Sequence, residues 1–557
     1  MPRSKTCRAS GVQFIITDDE LEFYRKMEVS EPKLCPAERK RRRLAWATFR
    51  TLHRRRCDAT GENILSMYAP EVEHPVYHTT YWWSDKWDPL EYGQTFDFKR
   101  PFFEQFNEVF QKTPVLHQSV INSENCEYIN MAGDCKNCYL SFYLDFCEDC
   151  YYVQDCNGNT SCMDCLGVKG SELCYECIDC ANGYALLFSQ RCVNCSNSYF
   201  LTDCRGCQNC IGCFNLVNKN YYVYNKPATK AEFENLKKEL CRAEKIKELN
   251  DFVAATSTSF PKKHCFGYSN EDCSGDFVHN ARNSQHCFHA YELENVKYAD
   301  YFFHVHDCMD VSIYGNQSEW LYNCLKTGEQ CSNNICCLCC WSGSSNNAYC
   351  HLVIGTKNCF GCSALRHAQY CILNKSYTKH EYEKLSAKII AHMRETGEWG
   401  EFFPIAMSPF GYNESCAQDY FPLTKDEVLK NGYQWREEDV STRGAVAGAA
   451  DQAQAAANIP SQIEDVDDRI LKEVFRCEVT EKPFRFIKPE LEFYRKMCLP
   501  LPHLCSDERH TRRLALRNPS NLWHRACASC KVELETSYAP ERPEKVLCEA
   551  CYLQVLE

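Results

Sequence analysis

The pattern of apolar and polar positions changes character several times along the 557 residues. From residue 126 to residue 213 it is governed by cysteine, and all seventeen cysteines of that stretch fall at sequence numbers divisible by three. Chance placement in one phase has a probability of roughly one in 40 million, so the spacing reflects backbone geometry. A helix repeats at 3.6 residues and a strand at two, and neither produces a threefold phase by itself. A chain coiling in strand-plus-corner segments of multiples of three does. Short β-prone pieces, Cys138-Tyr-Leu140, Cys150-Tyr-Tyr-Val153 and Ser198-Tyr-Phe-Leu201, lie between the cysteine pairs. The pattern predicts a parallel β-solenoid.

Helical spacing follows at two places. Thr229-x-x-Glu232 precedes Phe233, Leu236 and Leu240, and Thr378-x-x-Glu381 precedes Tyr382, Leu385, Ile389 and Met393. Both openings read as capping boxes. They belong to a duplication at an offset of 149, which also matches Cys210, Gly212, Cys213, Asn225 and Lys226 with Cys359, Gly361, Cys362, Asn374 and Lys375. Each copy therefore ends in a capping helix. In the second copy the cysteine phase is looser, though Cys287, Cys308, Cys350 and Cys371 are separated by multiples of 21.

A second duplication brackets the chain. Glu20-Leu-Glu-Phe-Tyr-Arg-Lys-Met27 recurs identically as Glu490 to Met497, and the same offset of 470 superposes Cys7 on Cys477, Cys35 on Cys505, Arg42-Arg43-Leu44-Ala45 on residues 512 to 515, and Cys57 on Cys527. Between Ser441 and Asp467 runs of alanine, glycine and glutamine carry no apolar stripe and read as a linker. The expected organisation is an N-terminal basic module (1–80), an aromatic connector (81–120), two cysteine-rich units with end helices (121–250 and 260–396), an irregular segment (397–440), the linker (441–467) and a C-terminal module (468–557). The fold class is mostly β: a duplicated cysteine-rich parallel β-solenoid-like centre with capping helices, flanked by two small α+β zinc-ribbon-like modules.

Composition then narrows the chemistry. The chain has 43 cysteines, yet it is far larger than the secreted scaffolds in which disulfides replace a core. Its first residues contain no apolar signal region, and no window approaches a membrane span, so the expectation is a cytoplasmic protein with free or metal-bound thiols and no membrane partner. A net charge of −12 argues against coating of nucleic acid along the whole length. Locally, nine basic residues against one acid lie between Glu38 and Arg56. Arg39, Lys40, Arg41, Arg42, Arg43, Arg54, Arg55 and Arg56 are candidate phosphate contacts, or else a solvated basic helix.

Cys527-x2-Cys530 and Cys548-x2-Cys551, seventeen residues apart, have the spacing of a four-thiolate zinc ribbon. Four thiolates leave no open position, so Zn²⁺ there is structural. The matching N-terminal positions are Cys57, Thr60, His78 and Tyr81, and no complete site remains. The earlier half of each module keeps one cysteine where a ribbon has two: Cys7 with Ser10 and Cys35 with Glu38, then Cys477 with Thr480 and Cys505 with Glu508. In the central region two readings stand. Cys135, Cys138, Cys147, Cys150, Cys162, Cys165, Cys174, Cys177, Cys192, Cys195, Cys204, Cys207, Cys210 and Cys213 either meet as four-thiolate sites between coils or stack as buried thiols in a narrow interior.

Cys7, Phe14, Glu20-Leu-Glu-Phe-Tyr24, Pro32-Lys-Leu-Cys35-Pro36 and Arg39 resemble a small "probable zinc-ribbon" domain with the pattern CxxC, FYxxK, CPxC and arginines. With Tyr81-Trp-Trp-Ser-Asp-Lys-Trp-Asp-Pro89, Glu172 to Cys180 and Phe421-Pro-Leu-Thr-Lys425, the whole arrangement is similar to a group of uncharacterised bacterial cysteine-rich proteins. The resemblance implies zinc ribbons and brings no activity with it.

Phosphate-binding, dinucleotide, nucleophile-elbow, metalloprotease and deaminase motifs are absent from the sequence. His286-Cys287, His304-x-His306-Asp307-Cys308 and His351 form a His/Cys-rich stretch that fits either solvent-facing polar side chains or a metal site. The expected function is a zinc-binding scaffold or interaction protein without catalytic activity, engaging a macromolecule, protein or nucleic acid. The alternatives are a nucleic-acid-associated protein using residues 39 to 56 and a metal- or thiol-dependent enzyme in the cysteine-rich centre.

Overall fold

The computed structural model describes residues 2–299, 303–306, 309, 318–319, 322–327, 331–437 and 453–556. The chain is mixed α/β: short strands in small sheets, with twelve α-helices among the described residues. A mostly β description leaves out these helices, which pack the terminal modules and the connector onto the centre. No described helix is long and apolar enough to cross a membrane.

The centre is a stack of parallel rungs. In the first unit each residue pairs with the one twelve further on, from Val120 with Ala132 through Glu124 with Lys136 to Arg205 with Val217. The threefold cysteine phase has a backbone cause. Every third residue turns a corner in the left-handed region; Asn125, Tyr128, Met131 and Asp134 have φ between 51° and 54°. Four such three-residue sides make one twelve-residue turn. Asn and Asp tolerate that region best and recur at the corners, where Asn125 donates to Asn137 (2.8 Å) and Asn137 to Asp149 (2.8 Å). Phe188 and Phe200 stack at 4.7 Å and 10° on adjacent rungs, offsetting their unfavourable backbone.

The residue after each left-handed corner faces inward, as Cys138 follows Asn137 and Cys150 follows Asp149, and that is where the cysteines sit. Their thiols bond to carbonyls: Cys138 Sγ donates to Lys136 O at 3.4 Å, and Cys174 Sγ to Glu172 O at 3.6 Å. Serine takes the same place with the same bond, Ser141 Oγ to Tyr139 O (2.9 Å) and Ser189 Oγ to Leu187 O (2.8 Å). A small side chain with one donor is what the position accepts. The second unit has a looser phase because its rungs vary from eleven to thirteen residues: Gly267 pairs with Val278, Gly275 with Cys287 and Leu338 with His351. The helices Lys230–Glu239 and Lys379–Thr396 close the two units, each opened by the expected capping box.

Each terminal module is built twice from one unit, a hairpin knuckle followed by a helix. The hairpins are Arg3–Thr6 with Gln13–Ile16, His53–Arg56 with Asn63–Ser66, Phe475–Arg476 with Pro483–Phe484, and Trp523–Ala526 with Glu533–Thr536. Each turns through a left-handed residue: Gly11, Gly61, Glu481 or Lys531.

The two modules dock crosswise. Glu490 accepts from Tyr152 of the first unit at 2.7 Å, and its counterpart Glu20 accepts from Tyr298 of the second at 2.9 Å. Arg509 lies 4.8 Å over Tyr152, and Arg39 lies 5.6 Å over Tyr298. Tyr494 meets Tyr175 edge-on, as Tyr24 meets Tyr322. The C-terminal module thus rests on the first unit and the N-terminal module on the second. The later knuckles are stitched to the strands leading into the units: Val76–Tyr77 pairs with Val115–Leu116, and Val546–Leu547 with Lys262–Lys263. In the connector, Trp82 is buried, donates to Pro114 O and carries Arg366 over its ring, so the aromatic block is packing.

Residues 441–452 of the expected linker lie outside the described residues. From Gln454 onward that segment is packed, with Ala456, Ile459, Ile463 and Val466 buried. They recur at intervals of three and four residues, an apolar stripe that the alanine- and glutamine-rich composition conceals, and it is buried on short 3-10 turns instead of one helix.

Candidate metal centre

Cys527, Cys530, Cys548 and Cys551 come together with their four Sγ atoms within 4.8 Å of one another. Each arrives for a local reason. Cys527 and Cys530 flank the knuckle, which is closed by Cys527 N to Val532 O (2.8 Å) and Lys531 N to Cys527 O (3.1 Å). Cys548 precedes the helix Glu549–Leu556, and Cys551 lies in its first turn. The bond from Ala528 N to Val546 O (2.9 Å) brings the two halves together. Cys530 and Cys548 sulfurs stand 3.7 Å apart, and the Cys548 N–H points at Cys527 Sγ at 3.3 Å. Burial raises the Cys527 thiol, but the N–H groups of Cys548, Cys530 and Ser529 outweigh it and bring it down to about 6. Such a donor set can hold a metal ion. No second group of three or more ligand atoms with this geometry occurs among the described residues.

The other three knuckles keep the frame without the ligands. The bond that joins the halves recurs as Arg8 N to Lys33 O (2.9 Å), Asp58 N to Val76 O (3.0 Å) and Glu478 N to His503 O (3.3 Å). Hydroxyls stand where second sulfurs would be: Ser10 Oγ is 3.9 Å from Cys35 Sγ, and Thr480 Oγ1 is 3.5 Å from Cys505 Sγ. Cys7 remains a favourable site for a thiolate, brought to about 7 against burial by the Cys35 N–H and Ser10. Cys57 and Cys477 are lowered for the same reason, against the same burial.

The central cysteines are placed differently. Cys135, Cys138, Cys147 and Cys150 are neighbours on adjacent rungs, as are Cys162 with Cys174, Cys165 with Cys177, and Cys195 with Cys207. All fourteen candidates, from Cys135 to Cys213, are buried. Cys192, Cys204, Cys207, Cys210 and Cys213 donate to carbonyls two residues back. Burial, with Cys165 beside it adding to the effect, pushes the Cys156 thiol well above its ordinary value.

The basic segment does not form an exposed positive face. Arg39 and Arg43 are buried in the crosswise interface, Arg39 donating to Leu34 O (2.9 Å) and Arg43 to Asn323 (3.2 Å). Lys40 lies over Phe288 and Tyr420, Arg41 pairs with Glu38 (2.6 Å) and Arg42 with Glu401 (3.0 Å). Arg55 is held by Asp58 at 2.8 Å. Of the eight candidates only Arg54 and Arg56 are exposed, and Arg54 donates to Tyr128. The local charge is absorbed by distant carboxylates, carbonyls and aromatic rings that a sequence window does not contain. In the His/Cys-rich stretch, His351 bonds to Ser363, His286 stacks on Tyr298, and Asp307 and Cys308 lie outside the described residues. The docking residues Glu20, Tyr24, Glu490 and Tyr494 were not singled out by sequence reasoning, although the identical octapeptide that carries them was its clearest repeat.

No family model and no curated protein matches the chain. Among solved structures, one from Desulfovibrio desulfuricans G20 described as a "putative acetyltransferase" is 9% identical, with a TM-score of 0.11, over 42% of this chain. The match spans 63% of that protein's own length, less than two thirds, and at this TM-score the likeness says nothing of fold or chemistry here.

Proposed function

We propose that the protein is a zinc-binding scaffold, in which one structural Zn²⁺ ion ties together the two halves of the C-terminal ribbon docked on a parallel β-solenoid, and no catalytic step is performed. The observation that carries this reading is the four-cysteine cluster at Cys527, Cys530, Cys548 and Cys551, with all sulfurs within 4.8 Å. All-thiolate coordination selects Zn²⁺ or iron among common ions and leaves no position for substrate. Twelve-residue parallel register, corners at every third residue and capping helices support the solenoid reading of the centre. The repeated knuckles support kinship with bacterial zinc-ribbon proteins of the kind the sequence resembles. Thiols that donate to carbonyls in a buried interior suit a reducing compartment such as the cytoplasm, and the partner of a scaffold of this size is a macromolecule.

Metal analysis of purified full-length protein tests the reading. One zinc per chain is expected, with four sulfur neighbours at about 2.3 Å by X-ray absorption. A preparation without metal, or one with four or more zinc ions per chain, overturns it.

A further inference from the structure

The crosswise docking creates two equivalent clefts, each walled by the first knuckle of one module, the second knuckle of the other, and one rung stack. The smaller, about 320 Å³, is bounded by Lys482 to Arg485, by Arg50 to Leu52, and by Tyr139 and Tyr152 of the first unit. The larger, about 860 Å³, is bounded by the counterparts at Val12 to Ile15 and Ser520 to Leu522, and by His286 and Tyr298 of the second unit. Asp419 reaches both.

The two have diverged in what they leave open. In the smaller cleft Arg50 bridges the modules to Asp507 at 3.1 Å and covers Phe142, while Tyr128, Tyr139, Phe142 and Tyr152 are buried. In the larger cleft His286, Tyr298, Tyr420, Phe421 and Trp523 are only half-buried, so aromatic faces line an open space. Three cations stand among them. Arg517 is paired with Asp155 (3.0 Å) and Asp179, and Arg43 donates to Asn323. Lys40 lies over the rings of Phe288 (5.7 Å) and Tyr420 (5.5 Å), and Asp419 is the one carboxylate among the described residues that line the cleft. His286 and His289 are kept neutral by burial. Flat rings that accept stacking, a lysine lying over two of them and a volume in the small-ligand range are the features that recognise a base joined to a phosphate.

We propose that the larger cleft binds a nucleoside phosphate, the base stacking on the half-buried rings around Trp523 and the phosphate lying at Lys40. The same chemistry is offered by a free mononucleotide and by a nucleotide in a single RNA strand. Isothermal titration of the full-length protein with AMP, GMP, UMP, their nucleosides and a short oligoadenylate separates these sources. Saturable binding of one nucleotide per chain is expected, with the nucleoside about tenfold weaker or more. Lys40→Met brings the nucleotide to the nucleoside's level. Trp523→Ala or Phe421→Ala weakens both by about tenfold. Arg485→Ala, in the smaller cleft, changes neither. An oligoadenylate that binds more than tenfold tighter than AMP assigns the site to a strand, and equal affinity assigns it to the free nucleotide. The absence of saturation with every ligand at millimolar concentration overturns the proposal. So does binding that survives all three larger-cleft substitutions in protein with unchanged circular dichroism. Zinc content is measured in parallel, so failure here leaves the metal reading standing.

Discussion

The knuckle at Cys527 and its counterpart at Cys57 share a hairpin, a left-handed corner and a sulfur that accepts an N–H at 3.3 Å, from Cys548 in one and from His78 in the other. Each is joined by a hydroxyl to the strand entering a unit, Thr536 Oγ1 to His264 O (2.7 Å) and Ser66 Oγ to His117 O (3.0 Å). What differs is the space between the halves. At the C-terminus it is bounded by four sulfurs. At the N-terminus His78 stacks on His117 at 5.0 Å and 12°, and Thr79 bonds to His117 Nε2 at 3.0 Å. The comparison separates two tasks that a metal site usually combines. Backbone hydrogen bonds shape the knuckle, and four sulfurs able to hold a metal ion, or a packed imidazole pair in their place, stand between the halves.

The largest effect is expected from removing the proposed zinc ion. Structural zinc contributes on the order of 10 kcal/mol or more in small metal-folded units, and Cys530 is exposed, so chelators have access. Chelation, or Cys530→Ser, is expected to abolish bound zinc and raise hydrogen exchange across 523–536 and 546–556, while 53–66 keeps its protection. Retained protection at the C-terminal knuckle after zinc loss breaks the comparison.

The docking pairs come next. Arg509 sits against Asp164 at 3.0 Å and Glu490 at 3.6 Å, and all three are buried. Arg39, its counterpart, donates to the Leu34 carbonyl and lies over the Tyr298 ring of the second unit. Removing one partner of a buried ion pair costs about 3 to 5 kcal/mol, whereas losing a neutral bond costs about 1 kcal/mol. Arg509→Ala is therefore expected to lower stability in urea by about 3 to 5 kcal/mol. A loss near about 1 kcal/mol would mean that this ion pair does not hold the C-terminal module on the first unit.

These residues also mark how far the sequence reaches. The octapeptide at 20–27 and 490–497, the two duplications and the four cysteine ligands at 527, 530, 548 and 551 were all legible, because each is a matter of spacing along the chain. The threefold phase was legible too, though its cause, a left-handed corner at every third residue, was not. Charge was misleading: Arg43 reaches a residue 280 positions away, and no local count of basic residues separates a phosphate-binding face from a buried interface. The cleft at Trp523 needs both modules and the second unit, so no motif announces it.

The third effect is smaller and tests the imidazole pair directly. His117 is 6% exposed, and its Nδ1 lies 2.6 Å from Leu65 O. Burial holds it down at about 4 despite that carbonyl, with His78 adding to the shift. Its folded value is below the ordinary 6.5, so the stability it contributes is complete above pH 6.5 and is lost as pH falls from 6.5 towards 4. A shift of this size corresponds to about 3 kcal/mol at the acid end. His117→Gln keeps a polar side chain that does not titrate. Urea unfolding at pH 7.5 and pH 4.5 is expected to show a loss on acidification smaller by about 2 to 3 kcal/mol in the variant than in the parent. The parent and variant share every other buried carboxyl and imidazole, so those contributions cancel in the difference. Identical acid losses would mean that His117 does not tie the N-terminal knuckle in its neutral form, and the parallel with the four-cysteine cluster would fail there.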